Sequence, residues 1–250
     1  MRVTLCQTDI IWGQPQANRE AVERMLSNVA ETDLVILPEM FSTGFVTDPE
    51  GMAENAPSES LEWMKKTALQ RNCAIAGSIA LCEDGRYFNR LYFVKPDGEF
   101  CSYDKKHLFS YAGEHLRFTP GQERVIVEWK GLRILLSVCY DLRFPVWLRN
   151  RSDYDLLLCV ASWPTARRKA WDALLKARAI ENQCLVAAVN RTGSDPSCTY
   201  NGGSVILDAL GECTASCRDS VCEAVSADLD LHALRQLRGS FPVLEDRDPL

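Results

Sequence analysis

Asp33-Leu34-Val35-Ile36-Leu37-Pro38-Glu39 is the stretch that decides the fold. Four apolar residues run together without a polar one between them. A strand with one wet face alternates; a continuous run this short must be covered on both faces. Pro38 cannot donate to a ladder and ends the strand, so Glu39 stands just past a buried strand end. Ile134-Leu135-Leu136-Ser137-Val138 repeats the pattern and delivers Cys139 in the same position.

Outward from these runs, strand and helix patterns alternate. Residues 2–9, 73–81, 87–94, 99–103, 124–129, 132–138, 154–161, 184–190, 203–208, 213–217 and 221–228 read as strands. Residues 16–30, 58–71, 144–151, 167–182 and 229–238 read as helices, with apolar stripes such as Leu61, Met64, Ala68 and Leu69. Glu83-Asp84-Gly85 and Pro96-Asp97-Gly98 are tight turns between antiparallel neighbours. Residues 105–123 show no period, and a loop of that length inside a domain is usually functional. Strands that need cover on both faces, with helices between them, imply α/β architecture: two sheets packed together and flanked by helices, α-β-β-α. No linker or repeat divides the chain, so one domain over 1–250 is expected.

The 250 residues are 46% hydrophobic and 25% charged, with a formal net charge of -6. Mild acidity disfavours non-specific binding to nucleic acid or anionic lipid. The nearest approach to a basic cluster is Arg167-Arg168-Lys169. No segment is apolar over the length a bilayer requires, and the N-terminus lacks the pattern of a signal peptide. Eleven cysteines, an odd number scattered through apolar runs (Cys6, Cys73, Cys159, Cys184), read as reduced core residues of a cytoplasmic protein. Cys213, Cys217 and Cys222 lack a fourth ligand at metal spacing and read as strand residues.

Three groups at strand ends could together make a nucleophilic site: Glu39, Cys139, and Lys106 after the strand ending near Asp104. A thiol must lose its proton to attack. A carboxylate can take that proton and return it to a leaving amine. An ammonium can stabilise thiolate and oxyanion, helped by the Tyr140 N–H and by a helix N-terminus at Cys139. A Cys–His arrangement through His107 is the alternative. Neighbours on an extended segment point to opposite faces, so only one of Lys106 and His107 would face the site. Each residue taken singly also has an ordinary structural explanation, and spacing does not show that they converge.

Leu37-Pro38-Glu39-Met40-Phe41, Tyr103-Asp104-Lys105-Lys106-His107-Leu108-Phe109 and Ser137-Val138-Cys139-Tyr140-Asp141-Leu142-Arg143-Phe144-Pro145 occur in that order. They resemble the three catalytic segments of the nitrilase superfamily. Ala177-Arg178-Ala179-Ile180-Glu181-Asn182-Gln183 and Asn201-Gly202-Gly203-Ser204 extend the resemblance over nearly the whole chain. The resemblance implies the four-layer α-β-β-α sandwich, commonly dimeric. It assigns Glu39 as general base, Lys106 as charge stabiliser and Cys139 as nucleophile. A second glutamate, Glu114, would position the lysine and the substrate; its alternative is a loop carboxylate paired with Arg117.

Phe41-Ser42-Thr43-Gly44-Phe45 and Ala161-Ser162-Trp163-Pro164 look most like the bacterial ω-amidase branch. That branch cleaves the terminal amide of short 2-oxo acids such as 2-oxoglutaramate and 2-oxosuccinamate. No cofactor and no metal are expected, and the partners are a small amide and a second copy of the chain. A substrate carboxylate calls for a cation or a nest of N–H donors; Arg143, Arg167 and Arg168 are the candidate cations, Arg167 foremost. Phe41, Tyr111, Tyr140 and Trp163 are the expected pocket residues. Competing readings keep the site but act on a nitrile or an N-carbamoyl compound, pass the acyl group to an amine, or retain the fold as a non-catalytic interaction domain.

Overall fold

Each fully apolar run forms a strand buried on both faces, and the other elements follow from what covers them. The computed structural model describes residues 1–248; Pro249 and Leu250, included in the expected domain, lie outside the described residues. In chain order the first half comprises β1 (Arg2–Gln7), α1 (Pro15–Leu26), β2 (Leu34–Ile36), β3 (Glu54–Asn55), α2 (Glu59–Arg71), β4 (Ala74–Glu83), β5 (Arg86–Val94) and β6 (Phe100–Asp104). Then come β7 (Ile126–Trp129), β8 (Leu132–Val138), α3 (Pro145–Leu148), β9 (Leu156–Ala161), α4 (Arg168–Glu181) and β10 (Leu185–Asn190). The chain continues with β11 (Thr192–Ser194), β12 (Thr199–Asn201), β13 (Val205–Leu207), β14 (Cys213–Ser216), β15 (Glu223–Asp228) and α5 (Leu231–Ser240).

One sheet has the order β15-β1-β2-β4-β5-β6, with β3 beside β4; the other has the order β14-β13-β10-β9-β8-β7. β1, β2 and β4 run parallel, as do β8, β9 and β10. The side-chain period of two sorts the layers. Val3, Leu5, Leu34, Ile36, Leu91 and Phe93 join the core shared with the second sheet. Their neighbours Cys6, Val35 and Ile75 face the other way, onto Val22 and Leu26 of α1 and Leu61, Met64 and Ala68 of α2. α4 covers the far side of the second sheet, packing on β10 and β13 through Trp171, Leu175 and Ala179. The sequence pattern and the fold agree on α-β-β-α. Each fully buried Leu or Val contributes about 1.5–3 kcal/mol, so the register of the two sheets is strongly fixed.

Several local expectations change. α2 starts where expected because the Ser58 side chain accepts from the Leu61 N–H. The helix expected over 144–151 is a single turn, Pro145–Leu148, preceded by a tight 3-10 turn over Cys139–Arg143. Cys139 therefore opens a five-residue 3-10 turn, too short to supply a useful macrodipole. The hairpin β11–β12 was not expected. Cys213 lies in β14, but Cys217 and Cys222 sit just outside strands. All eleven cysteines are unpaired. No described helix is long and apolar enough to cross a membrane.

Candidate active site

Strand ends from both sheets meet at one cavity. β2 ends into Glu39, β6 into Lys105, β8 into Cys139 and β9 into Ser162, while Asn89 lies within β5. Two turns at these strand ends are strained. Met40 and Cys139 have φ of 45° and 48°, the left-handed region that side chains rarely adopt. The turn at Met40 leaves the Glu39 carboxylate facing the second sheet. The turn at Cys139 stops β8 abruptly, with the thiol lining the cavity.

Glu39, Asn89, Lys105 and Glu114 are all completely or almost completely buried. Lys105 Nζ donates to Glu39 Oε1 (2.8 Å) and to both Glu114 oxygens (3.1 and 2.9 Å). Asn89 Nδ2 donates to Glu39 Oε1 (2.8 Å) and Glu114 Oε1 (3.1 Å). The Ser162 N–H donates to Glu39 Oε2 (2.8 Å), and the Phe109 N–H to Glu114 Oε2 (2.6 Å). Burial alone would lower the Lys105 pKa. The flanking Glu114 and Glu39 carboxylates outweigh it and hold the ammonium above its ordinary range. Burial raises Glu114, opposed by Lys105 and reinforced by the charge on Glu39.

The Cys139 thiol is pushed well above its ordinary value, first by burial and then by the Glu39 charge, with Lys105 opposing. The thiol at rest therefore holds its proton, with the Glu39 side chain beside it.

Lys106 is not in this cluster, which corrects the expectation for the lysine. Its Nζ donates to Gln122 Oε1 (3.0 Å) and lies 5.5 Å from the Trp147 ring. Lys105 and Lys106 follow β6 on an extended segment, so their side chains diverge. His107 does not face the cluster either. Its Nδ1 lies 2.8 Å from Asp141 Oδ1, and its ring stacks on Phe144 at 3.8 Å. Glu114 joins the cluster as expected; Arg117 pairs instead with Asp48 at 3.2 Å.

The cavity has a volume of about 460 Å³, within the usual range for small-molecule sites. Tyr111, Tyr140, Trp163 and Arg167 line it as expected, and Arg143 does too. Phe41 does not. It is buried between the first sheet and α2, its ring 5.7 Å from Trp63, because the turn at Met40 sends it to the opposite side from Glu39. Arg168 also turns away, pairing with Asp172 and Asp219. Arg167 lies over the rings of Phe109 (5.3 Å) and Tyr111 (5.1 Å), and Arg143 over Trp163 (4.8 Å). Among the described residues no carboxylate pairs with either guanidinium. Asn190 fixes this wall: its Oδ1 accepts from the Trp163 N–H (2.7 Å) and its Nδ2 donates to the carbonyls of Trp163 and Gly202.

Sequence reasoning missed Asn89, Phe45, Phe109, Ser162 and the hairpin residue Tyr200. Phe45 lies 5.1 Å from Lys105 Nζ. Tyr200 donates to Asp195 Oδ2 at 2.5 Å, both at the cavity wall. Asn89 had a partial signal: Asn89-Arg90 interrupts the apolar residues of β5, and Asn89 is the buried member of the pair.

Comparison with known proteins identifies the family. The carbon-nitrogen hydrolase family model matches residues 2–239. The omega-amidase YafV of Yersinia enterocolitica is 46% identical over 99% of this chain and 97% of its own. The 2-oxoglutaramate amidase of Bacillus subtilis is 34% identical over 98% of this chain and 96% of its own. Among solved structures, XC1258 from Xanthomonas campestris, a CN-hydrolase superfamily protein with an arsenic adduct in its active site, superposes with a TM-score of 0.97. It is 42% identical and covers 100% of this chain and 98% of its own. A cysteine, a lysine and two glutamates gathered between two sheets, together with these matches, place the chain in the carbon–nitrogen hydrolase family.

Proposed function

We propose that this protein is an ω-amidase that cleaves the terminal amide of short 2-oxo acid amides, 2-oxoglutaramate foremost, through a thioester on Cys139. The observation that carries the reading is the buried contact of Lys105 with both Glu39 and Glu114 beside a neutral thiol. Similarity to an omega-amidase and a 2-oxoglutaramate amidase supports the substrate class.

In this mechanism Cys139 Sγ attacks the amide carbon as its proton passes to Glu39. The carbonyl oxygen becomes an oxyanion. Tyr140 supplies an N–H from the first turn after the nucleophile, where backbone donors have no intrahelical partner. Lys105 supplies the second donor. At rest its three protons all face carboxylates, but protonated Glu39 is a weaker acceptor, so proton transfer releases a Lys105 N–H for the oxyanion. Glu39 then returns its proton to the leaving nitrogen, and ammonia departs. Water attacks the thioester while Glu39 takes its proton, the acid is released, and the sulfur regains a proton from Glu39. Glu114 holds Lys105 throughout.

The substrate carboxylate pairs with Arg167 and Arg143, which among the described residues have no carboxylate partner and are backed by aromatic rings. We take the whole chain as one domain working in a reducing cytoplasm as a homodimer. Exposed Val146, Ile180, Leu210 and Phe241 provide apolar surface for the dimer. The Ile180 side chain lies against Gly211, which makes Ile180 and Leu210 neighbours. Light scattering on the purified protein reads the dimer.

Ammonia release from 2-oxoglutaramate, compared with a panel of nitriles, N-carbamoyl acids and uncharged amides, tests the activity. The expected result is preference for the 2-oxo acid amide, loss of turnover in Cys139→Ala, and an acyl adduct on Cys139 in a mass spectrum of quenched enzyme. Undiminished turnover in Cys139→Ala overturns the mechanism; preference for another panel member overturns the substrate.

A further inference from the structure

Asn89 is completely buried in β5, where its backbone carbonyl accepts from the Lys105 N–H at 3.0 Å. Both hydrogens of its side-chain amide go to acids: Glu39 Oε1 at 2.8 Å and Glu114 Oε1 at 3.1 Å. Its Oδ1 is buried without a partner. Reversing the amide offers nothing better, since it would set a carbonyl against two carboxylates. The site keeps two N–H groups on the acids even though a carbonyl is stranded, and a stranded buried acceptor in a native protein calls for a reason.

Counting acceptor positions on Glu39 supplies one. A carboxylate has about two lone-pair directions on each oxygen. Oε1 receives two donors, Asn89 Nδ2 and Lys105 Nζ. Oε2 receives one, the Ser162 N–H. Oε1 is full and Oε2 has one direction open. We infer that Asn89 is a positioning residue which, together with Lys105, fills Oε1 of Glu39 and so assigns proton transfer with Cys139 to Oε2 alone.

The inference rests on Glu39 being the base. The Cys139 proton leaves sulfur and bonds to Oε2, and it returns from Oε2 to the leaving nitrogen, so one lone pair serves both transfers. Asn89 has a second effect. Glu39 and Glu114 share a single ammonium, and the two amide hydrogens add positive potential between them without adding a titrating group. The charged and titratable groups facing Glu39 are Lys105, Glu114 and Cys139, with Cys159 on β9 and Asp141 behind the turn further off.

The test is the pH profile of Cys139 alkylation by iodoacetamide, read by mass spectrometry of the Cys139 peptide, so that no substrate need be assumed. Wild type, Asn89→Ala, the space-filling Asn89→Leu and Glu39→Gln are compared. Below the range in which the thiol ionises, alkylation of wild type proceeds with Glu39 as base, and in Glu39→Gln that base-assisted rate is lost. Without the Asn89 donors Oε1 is open and the carboxylate is no longer aimed through Oε2, so both Asn89 variants lose about ten- to a hundredfold of the base-assisted rate. Turnover of the amide falls about ten- to a hundredfold with KM little changed. A base-assisted rate that survives in Glu39→Gln overturns the base assignment and this inference with it. A rate lost in Glu39→Gln but unchanged in both Asn89 variants overturns the role of Asn89 alone.

Discussion

Asp141 holds His107 by two contacts. Its Oδ1 accepts from the His107 backbone N–H at 2.9 Å and faces the His107 Nδ1 at 2.8 Å. Its Oδ2 accepts from the Tyr103 hydroxyl (2.8 Å) and from the Val138 N–H (3.0 Å). One buried carboxylate thereby fastens the segment that carries Lys105 to the turn that carries Cys139. Asp141→Asn keeps the shape but turns a pair of acceptor positions into donors facing donors. Stability should fall by about 1–3 kcal/mol, and turnover should fall further than the folded fraction does, by about a hundredfold. Thermal denaturation and ammonia release on the same samples separate the two effects.

The neighbouring lysines should behave oppositely. Lys105→Met leaves two buried carboxylates facing each other without their cation, which costs about 3–5 kcal/mol and removes turnover by about a thousandfold. Lys106→Ala removes a surface contact and should leave turnover within about threefold and stability within about 0.5 kcal/mol. Steady-state kinetics and urea titrations of both variants decide which lysine serves the site.

Glu39 raises the Cys139 pKa through its charge, so removing that charge should make the thiol easier to ionise even as turnover is lost. In Glu39→Gln the alkaline rise in iodoacetamide reactivity should therefore move to lower pH than in wild type. In Lys105→Met, which removes the opposing cation, it should move higher. The sign follows from the directions of the two charges, and reactivity of the Cys139 peptide across the alkaline range measures it.

Arg167 should govern charge rather than chemistry. Arg167→Met keeps the apolar stem between Phe109 and Tyr111 but removes the cation. KM for a carboxylated amide should rise about ten- to a hundredfold, while an uncharged short amide should be turned over as before. Equal losses on both substrates would mean that Arg167 shapes the cavity instead of pairing with the carboxylate.

Much of the site was readable because apolar runs announce their own ends. Leu34–Pro38 and Ile134–Val138 placed Glu39 and Cys139 at buried strand ends; the structure puts Cys139 in the cavity lining and Glu39 in the buried cluster behind it, bonded to Lys105. The lysine was misread by one residue. A count by twos from Tyr103, which points into the core from β6, selects Lys105 and rejects Lys106. Phe41 was misread for a related reason: the left-handed turn at Met40 reverses the face, and no residue type there announces it. The 3-10 turn after Cys139 was hidden because Leu142-Arg143-Phe144-Pro145 continues into a real helical turn. The contacts of Asn89, Ser162 and Tyr200 depend on one sheet lying over the other, a relation no local pattern encodes.

That relation has a consequence for how the enzyme would fail. Glu39, Asn89 and Lys105 ride on one sheet, whereas Cys139 and Ser162 ride on the other. The acid and the thiol are held together by the apolar layer between the sheets and by a few polar ties at its edge, such as the Ser162 N–H on Glu39 and the Tyr103 hydroxyl on Asp141. A slip of a few ångströms across that layer would silence the enzyme while both sheets, and most of the circular dichroism they produce, stayed whole. Catalysis in this protein is a gauge of how tightly its two halves are clasped.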